Sequence, residues 1–283
     1  MIVRFVKSHG LGNDFVLVDC LKRRLPERRL PVLAREWCDR HFGIGADGLL
    51  LVMPSRKADF RMRIFNADGS EAEMCGNGIR CLARYVYEHG LTDEPMIEVE
   101  TLAGIVRPRL VLRSGRLQSV TVDMGEPRLS REEIPMKGRP GRVINEALRV
   151  GGRTLSVTCV SMGNPHCVTF VKDVVRAPVD TLGPRVENHA SFPQRTNVEF
   201  VQCAARDHLK VRVWERGAGA TLACGTGACA SVVAGVLTAR SERKARVDMP
   251  GGRLQIEWSA ADEHVYLTGL ATEVFSAEME VRL

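Results

Sequence analysis

A repeat constrains this chain more than any other feature. Met74-Cys75-Gly76-Asn77-Gly78 and Ala223-Cys224-Gly225-Thr226-Gly227 carry one pattern, with the cysteines 149 residues apart. Each stretch sets its cysteine where a polar loop runs into an apolar helical pattern. The surroundings repeat as well. Met62-Arg63-Ile64-Phe65-Asn66 lies over Val211-Arg212-Val213-Trp214-Glu215 at the same offset, Gly12-Asn13 lies over Gly163-Asn164 at 151, and Leu50-Leu51 lies over Phe200-Val201 at 150. One such match is chance, but three blocks in one order mark an internal duplication. At 283 residues, two domains are the ordinary expectation. The repeat divides the chain at 1–118 and 119–270.

The local patterns agree with two equivalent halves. Strands are expected at 2–8, 14–20, 49–53 and 60–66, then a polar loop and a helix from Ile79 to His89 ended by Gly90. Pro31 opens an earlier helix through about Phe42, with Leu33, Trp37 and Phe42 on its apolar side. In the second half, strands at 157–161, 167–171, 196–202 and 209–215 precede a helix from Gly225 to Ala239. Further strands are expected at 97–101, 104–112, 117–124, 245–249, 253–258, 264–268 and 273–281. The fold class is therefore α+β. Two pseudosymmetric domains are expected, each a mixed or antiparallel sheet wrapped around a central helix, with the active site in the cleft between them.

Composition excludes several classes. No apolar run approaches the roughly 18 residues that span a bilayer, so no membrane partner is expected. The net charge is +6, but the longest basic cluster, Lys22-Arg23-Arg24, has no interleaved aromatics, so no nucleic-acid partner is expected. Nine cysteines with no Cys-x-x-Cys pair argue against both a disulfide framework and a structural zinc site. Reduced thiols in the cytoplasm fit best, and Cys81 and Cys229, inside helical apolar patterns, read as core.

Cys75 and Cys224 are different. A cysteine at a helix N-terminus sees unpaired N–H groups and the positive end of the dipole, so its pKa is expected to fall. Gly76, Gly78, Gly225 and Gly227 leave those N–H groups bare, and two such ends would hold a carboxylate and stabilise charge beside it. Thiols on two faces of a carbon can serve as base and acid, since the ordinary thiol pKa is about 8.5. Inversion at an amino-acid α-carbon needs that pair. No pyridoxal-phosphate or dinucleotide signature is present, so no cofactor and no metal are expected. A lone cysteine before Gly-x-Gly is usually packing; two in duplicated positions point to chemistry. Asn13, Asn66, Asn164 and Asn197 are polar residues at strand ends, each of which alone would be a turn residue.

At these residues the chain resembles the diaminopimelate epimerase family. His9-Gly10-Leu11-Gly12-Asn13-Asp14-Phe15 is similar to its opening motif, and Phe65 through Cys81 to its main signature. Gly163-Asn164-Pro165-His166, Arg195 through Phe200, Glu215 through Gly219 and Ala223 through Cys229 complete the set. The resemblance implies cofactor-free interconversion of LL- and meso-2,6-diaminopimelate, a step toward lysine and peptidoglycan. It implies that Cys75 is the base for the LL isomer and Cys224 the acid, with His166 and Glu215 tuning their protonation. Gly76, Asn77, Gly225 and Thr226 would bind the reacting carboxylate. Asn13, Asn66, Asn164, Asn197, Glu215 and Arg216 would hold the amino groups and the distal carboxylate. The resemblance further implies a homodimer and a last strand, 271–283, that returns to the first half. The chain departs from the family's habit at Ala220, usually glutamate, at Gly48, often glutamine, and at Leu270, often proline. Alternatives are a proline racemase-like or other amino-acid racemase of similar fold and, outside the enzymes, a thiol redox or metal-binding protein.

Overall fold

A computed structural model of the chain describes residues 1–281; the last two positions of the expected strand 271–283 lie outside the described residues. The chain forms two compact units, one from Met1–Val122 with the segment from Gly269 onward, the other from Asp123–Thr268.

The first unit contains β1 (Ile2–Gly10), β2 (Asn13–Asp19), α1 (Leu30–Cys38), β3 (Gly48–Met53), β4 (Phe60–Asn66), β5 (Glu71–Ala72), α2 (Gly76–Glu88), β6 (Val99–Thr101) and β7 (Gly104–Val106). A hairpin, β8 (Arg109–Arg113) and β9 (Arg116–Asp123), leads toward the second unit. The second unit contains β10 (Glu146–Val150), β11 (Arg153–Ser161), β12 (Pro165–Phe170), α3 (Val179–Glu187), β13 (Asn197–Ala205), β14 (His208–Glu215), β15 (Gly219–Thr221), α4 (Gly225–Leu237), β16 (Lys244–Met249), β17 (Gly252–Trp258) and β18 (Val265–Gly269). The closing strand, β19 (Thr272–Glu280), joins the first unit.

The two sheets repeat strand for strand. β1–β2 is antiparallel, β2–β3 parallel, β3–β4 antiparallel and β4–β6 parallel. β11–β12, β12–β13, β13–β14 and β14–β16 follow the same sequence of senses. α1 and α3 fill the same crossover, α2 and α4 the next. β19 pairs with β1 as β10 pairs with β11, so the place taken by a local strand in one unit is taken by a distant one in the other. This is the α+β class with two sheet-rich units.

The ladders also fix the repeat's register. Leu17 pairs Leu50 and Val168 pairs Glu199; Leu50 pairs Ile64 and Glu199 pairs Val213. Leu50 therefore lies over Glu199, not Phe200. Matching residue types by sequence set apolar on apolar and slipped by one position, which in a strand means the opposite face.

Each sheet buries both faces, because successive side chains alternate. Val16, Val18, Leu49, Leu51 and Phe65 pack with Leu33 and Trp37 of α1. Leu50 and Ile64 lie under Gly78 of α2. In the second unit Cys167, Val198 and Phe200 pack with Leu182 and Val186 of α3. α4 is buried without a break from Gly227 to Gly235, as its small residues require.

Two expectations fail. α1 stops at Cys38 because the Asp39 carboxylate takes the N–H groups of His41 and Phe42, turning the chain; Phe42 is 95% exposed rather than apolar packing. α3 was not foreseen. Its nine residues include Gly183 and Pro184, which spoil the helical signal. Tertiary contact supplies what propensity lacks: a Cβ at Gly183 would lie 2.6 Å from Trp214, whose Nε1 donates to Glu187 at 2.7 Å.

Candidate active site

The first half-site is built at the N-terminus of α2. Cys75 is the N-cap, extended at φ −143° and ψ 117°, with its carbonyl accepting from Ile79 N–H at 2.9 Å. Its side chain makes no capping bond to the helix. The half-buried thiol instead donates at 3.7 Å to Oδ1 of Asn13, the first residue of β2. Asn77 Nδ2 donates to the same oxygen at 3.1 Å, and Asn13 Nδ2 donates to Asp47 at 3.0 Å. Gly76, Asn77 and Asn13 thus converge on Cys75. Asn66, at the end of β4, is exposed and donates to Ser70 Oγ at 2.9 Å.

Sequence reasoning missed the residue that holds this cluster. Arg80 is fully buried; its guanidinium donates to Asn77 Oδ1 at 2.5 Å, Gly76 O at 3.1 Å and Leu270 O at 3.3 Å. Its spacing from Gly76 and Asn77, four and three along the helix, was the available signal. Gly48 is also explained: a Cβ there would sit 2.8 Å from Phe65 O.

Behind Asn13, Asp14 accepts from Lys7 at 2.6 Å and from Arg40 at 2.8 Å. Partial burial opposes its ionisation, but these cations prevail and hold its carboxyl at about 2. A depressed carboxyl stabilises the fold fully above its unfolded pKa of about 4, and that stability is lost as pH falls toward 2. Melting temperatures measured from pH 6 to 2 should show Asp14→Asn less stable than the parent at pH 6, with the gap closing at the acid end. A constant gap would contradict this.

The second half-site repeats the first with different partners. Cys224 caps α4 at φ −127° and ψ 113°, its carbonyl accepting from Ala228 N–H at 2.9 Å. Its sulfur lies 3.5 Å from Thr226 Oγ1, which accepts from Asn164 Nδ2 at 3.3 Å. Asn164 Oδ1 meets His166 Nε2 at 2.9 Å, and His166 Nδ1 meets Glu199 Oε1 at 2.7 Å. Asn197 is tied at both ends of its amide, donating to Pro165 O and accepting Arg216 N–H, so it fixes the turn that carries Arg216. Thr221 donates to Glu215 Oε1. Ala220 is exposed and pairs with Trp214 in the β14–β15 ladder, so backbone pairing holds the approach to Cys224.

The expected lowering of the thiol pKa is overturned for Cys224. Burial pushes it well up, and the carboxyls of Glu215 and Glu199 add to this; the Thr226 hydroxyl and Gly227 N–H oppose them without prevailing. Cys224 is a thiol at neutral pH, the form an acid needs. Cys81 and Cys229 are core, at 1% and 0% exposure.

This fold is shared with solved proteins of distant sequence. The chain superposes on a PhzF-family phenazine biosynthesis protein from Bacillus anthracis with a TM-score of 0.73, 18% identity, and coverage of 99% of this chain and 100% of that one. A probable proline racemase from Agrobacterium radiobacter K84 gives 0.68 and 15%, covering 99% and 93%. At the level of sequence, the chain is 62% identical over 276 residues to diaminopimelate epimerase of Moorella thermoacetica, covering 98% of this chain and 99% of the relative. The family model for diaminopimelate epimerase matches residues 5–130 and 158–274. The chain belongs to the diaminopimelate epimerase family and is an isomerase. Among the described residues, no helix is long and apolar enough to cross a membrane.

Proposed function

We propose that this enzyme interconverts LL- and meso-2,6-diaminopimelate by proton transfer at one α-carbon, using Cys75 and Cys224 and no cofactor. The observation that carries the reading is the pair of cysteine N-caps at duplicated positions, each with polar side chains gathered at its sulfur. In the LL-to-meso direction Cys75, as thiolate, takes the α-proton. Cys224, kept as a thiol by burial, returns one to the opposite face. The sulfur that lost its proton and the one that gained it exchange roles in reverse. Backbone N–H groups at Gly76, Asn77, Gly225 and Thr226 receive the reacting carboxylate and stabilise the carbanion's charge as it spreads onto those oxygens. Asn13, Asn66, Asn164, Asn197, Glu215 and Arg216 serve the amino groups and distal carboxylate, where the forked Arg216 guanidinium suits a carboxylate. His166 and Glu215 tune the thiols. The product would feed lysine and peptidoglycan synthesis in the cytoplasm, and the working form is a homodimer.

The test is proton NMR of reduced protein with LL-diaminopimelate in D₂O. Loss of the α-proton signal together with formation of the meso isomer is expected. Exchange with proline in its place, or no exchange at all, would sink the reading.

A further inference from the structure

One buried polar pair distinguishes the two units. At the position where the first unit has Phe15 and Leu50, the second has His166 and Glu199, given the register of the ladders. All four are buried; His166 and Glu199 are at 0% exposure. The inner position under the helix glycine is likewise shared. A Cβ at Gly78 would meet Leu50 Cδ1 at 3.1 Å, and one at Gly227 would meet Glu199 Oε1 at 2.8 Å. The architecture is thus satisfied by an apolar pair, and burying a carboxyl and an imidazole there costs stability that packing alone does not require.

The pair is the far end of a hydrogen-bonded chain that reaches a thiol. From Glu199 Oε1 it runs through His166, Asn164 and Thr226 to the Cys224 sulfur, in steps of 2.7, 2.9, 3.3 and 3.5 Å. Glu199 Oε2 is buried and has no hydrogen-bond partner among the described residues. A carboxylate with one bare buried oxygen is far costlier than a carboxylic acid with a bare carbonyl. We propose, resting on the epimerase reading, that Glu199 is a positioning residue for Cys224: as a neutral acid it donates to His166 Nδ1 and so directs every later donor toward the sulfur. His166 then gives Nε2–H to Asn164 Oδ1, Asn164 gives Nδ2–H to Thr226, and the Thr226 hydroxyl is left to donate to sulfur once the thiol has released its proton. No proton moves along the chain; its direction supplies a donor to the thiolate. Burial raises the Glu199 pKa against the opposing pull of His166, in keeping with the acid form. With Glu199 neutral, burial and Glu215 remain to hold Cys224 as a thiol.

Three variants test this. Glu199→Gln keeps a neutral donor facing Nδ1, and its turnover should stay within about threefold of the parent. Glu199→Leu should lose about 10- to 100-fold in kcat, the scale of lost outer hydrogen bonds that orient a reacting group. The double variant His166→Phe/Glu199→Leu recreates the first unit's pair, so it should fold and melt near the parent while losing kcat to the same extent. Nitrogen-15 NMR of histidine-labelled protein, with His166 identified by its absence in the double variant, should show the neutral Nε2–H form in the parent and in Glu199→Gln. An Nδ1–H form in the parent would overturn the proposal, since Nε2 could then only accept and the chain would run toward Glu199; an imidazolium would overturn it as well, since Glu199 would then be the carboxylate that accepts from Nδ1–H and not a neutral donor. Glu199→Gln as impaired as Glu199→Leu, or Glu199→Leu as active as the parent, would overturn it too. If the parent shows no exchange with diaminopimelate, the functional reading fails, and the histidine spectra still decide the chain's direction.

Discussion

Cys75→Ala and Cys224→Ala should each lower inversion of diaminopimelate by about three orders of magnitude, the size of a lost proton carrier. Neither change should unfold the protein. Cys75 is half-buried and makes no capping bond, so alanine removes the weak thiol contact to Asn13 and leaves the helix end in place. Cys224 is 5% exposed, and its replacement leaves a void smaller than a methylene pair, worth about 1 kcal/mol. The two variants should differ in what they keep. With Cys75 gone, Cys224 still faces the carbon that it deprotonates in the meso-to-LL direction, so slow deuterium exchange without inversion should persist from meso substrate. With Cys224 gone, the residual exchange should come from LL substrate. Following both isomers separately by NMR in D₂O checks this. Equal residual exchange from both isomers in each variant would contradict the assignment of faces.

Arg80→Met should cost roughly 2 kcal/mol or more, because it strands the Asn77 amide oxygen and the Leu270 carbonyl in a buried site, at about 1–3 kcal/mol each before relaxation, while the Gly76 carbonyl keeps its helical backbone bond. For a unit of this size that is a fall of about 4–8 °C in melting temperature. Arg80→Lys should not rescue it, since a single ammonium cannot serve three acceptors in a planar fork. Turnover should fall too, because Asn77 would lose the bond that aims its Nδ2 at Asn13. Calorimetry with a parallel rate measurement decides the matter. A variant that melts within a degree of the parent would show that Arg80 does not hold the helix end.

The duplication, the helices behind both cysteines and most strands were legible because they rest on local patterns: apolar spacing, glycine turns and the Cys-Gly-x-Gly stretches. The sequence did not show what fastens each cysteine. Arg80 looks like an ordinary surface residue of an amphipathic helix until tertiary packing buries it. Glu199 was hidden by the one-residue slip that matched Leu50 to Phe200 by similarity. Its signal was a lone charge between Val198 and Phe200, in a strand buried on both faces. The fall in pKa foreseen for both cysteines followed from the helix end alone. The burial that reverses it at Cys224 depends on side chains remote in sequence.

The place of β19 has a consequence for the order of synthesis. Residue 272 leaves the ribosome 150 positions after residue 122, which at about 5–20 residues per second is roughly 8–30 s later. The second unit holds all its own sheet neighbours for β11 and can close during that interval. The first cannot, since β1 awaits its outer partner with a nine-residue edge of unpaired amides. The half translated first is therefore the half completed last, and its open edge is what a chaperone or a neighbouring nascent chain would meet.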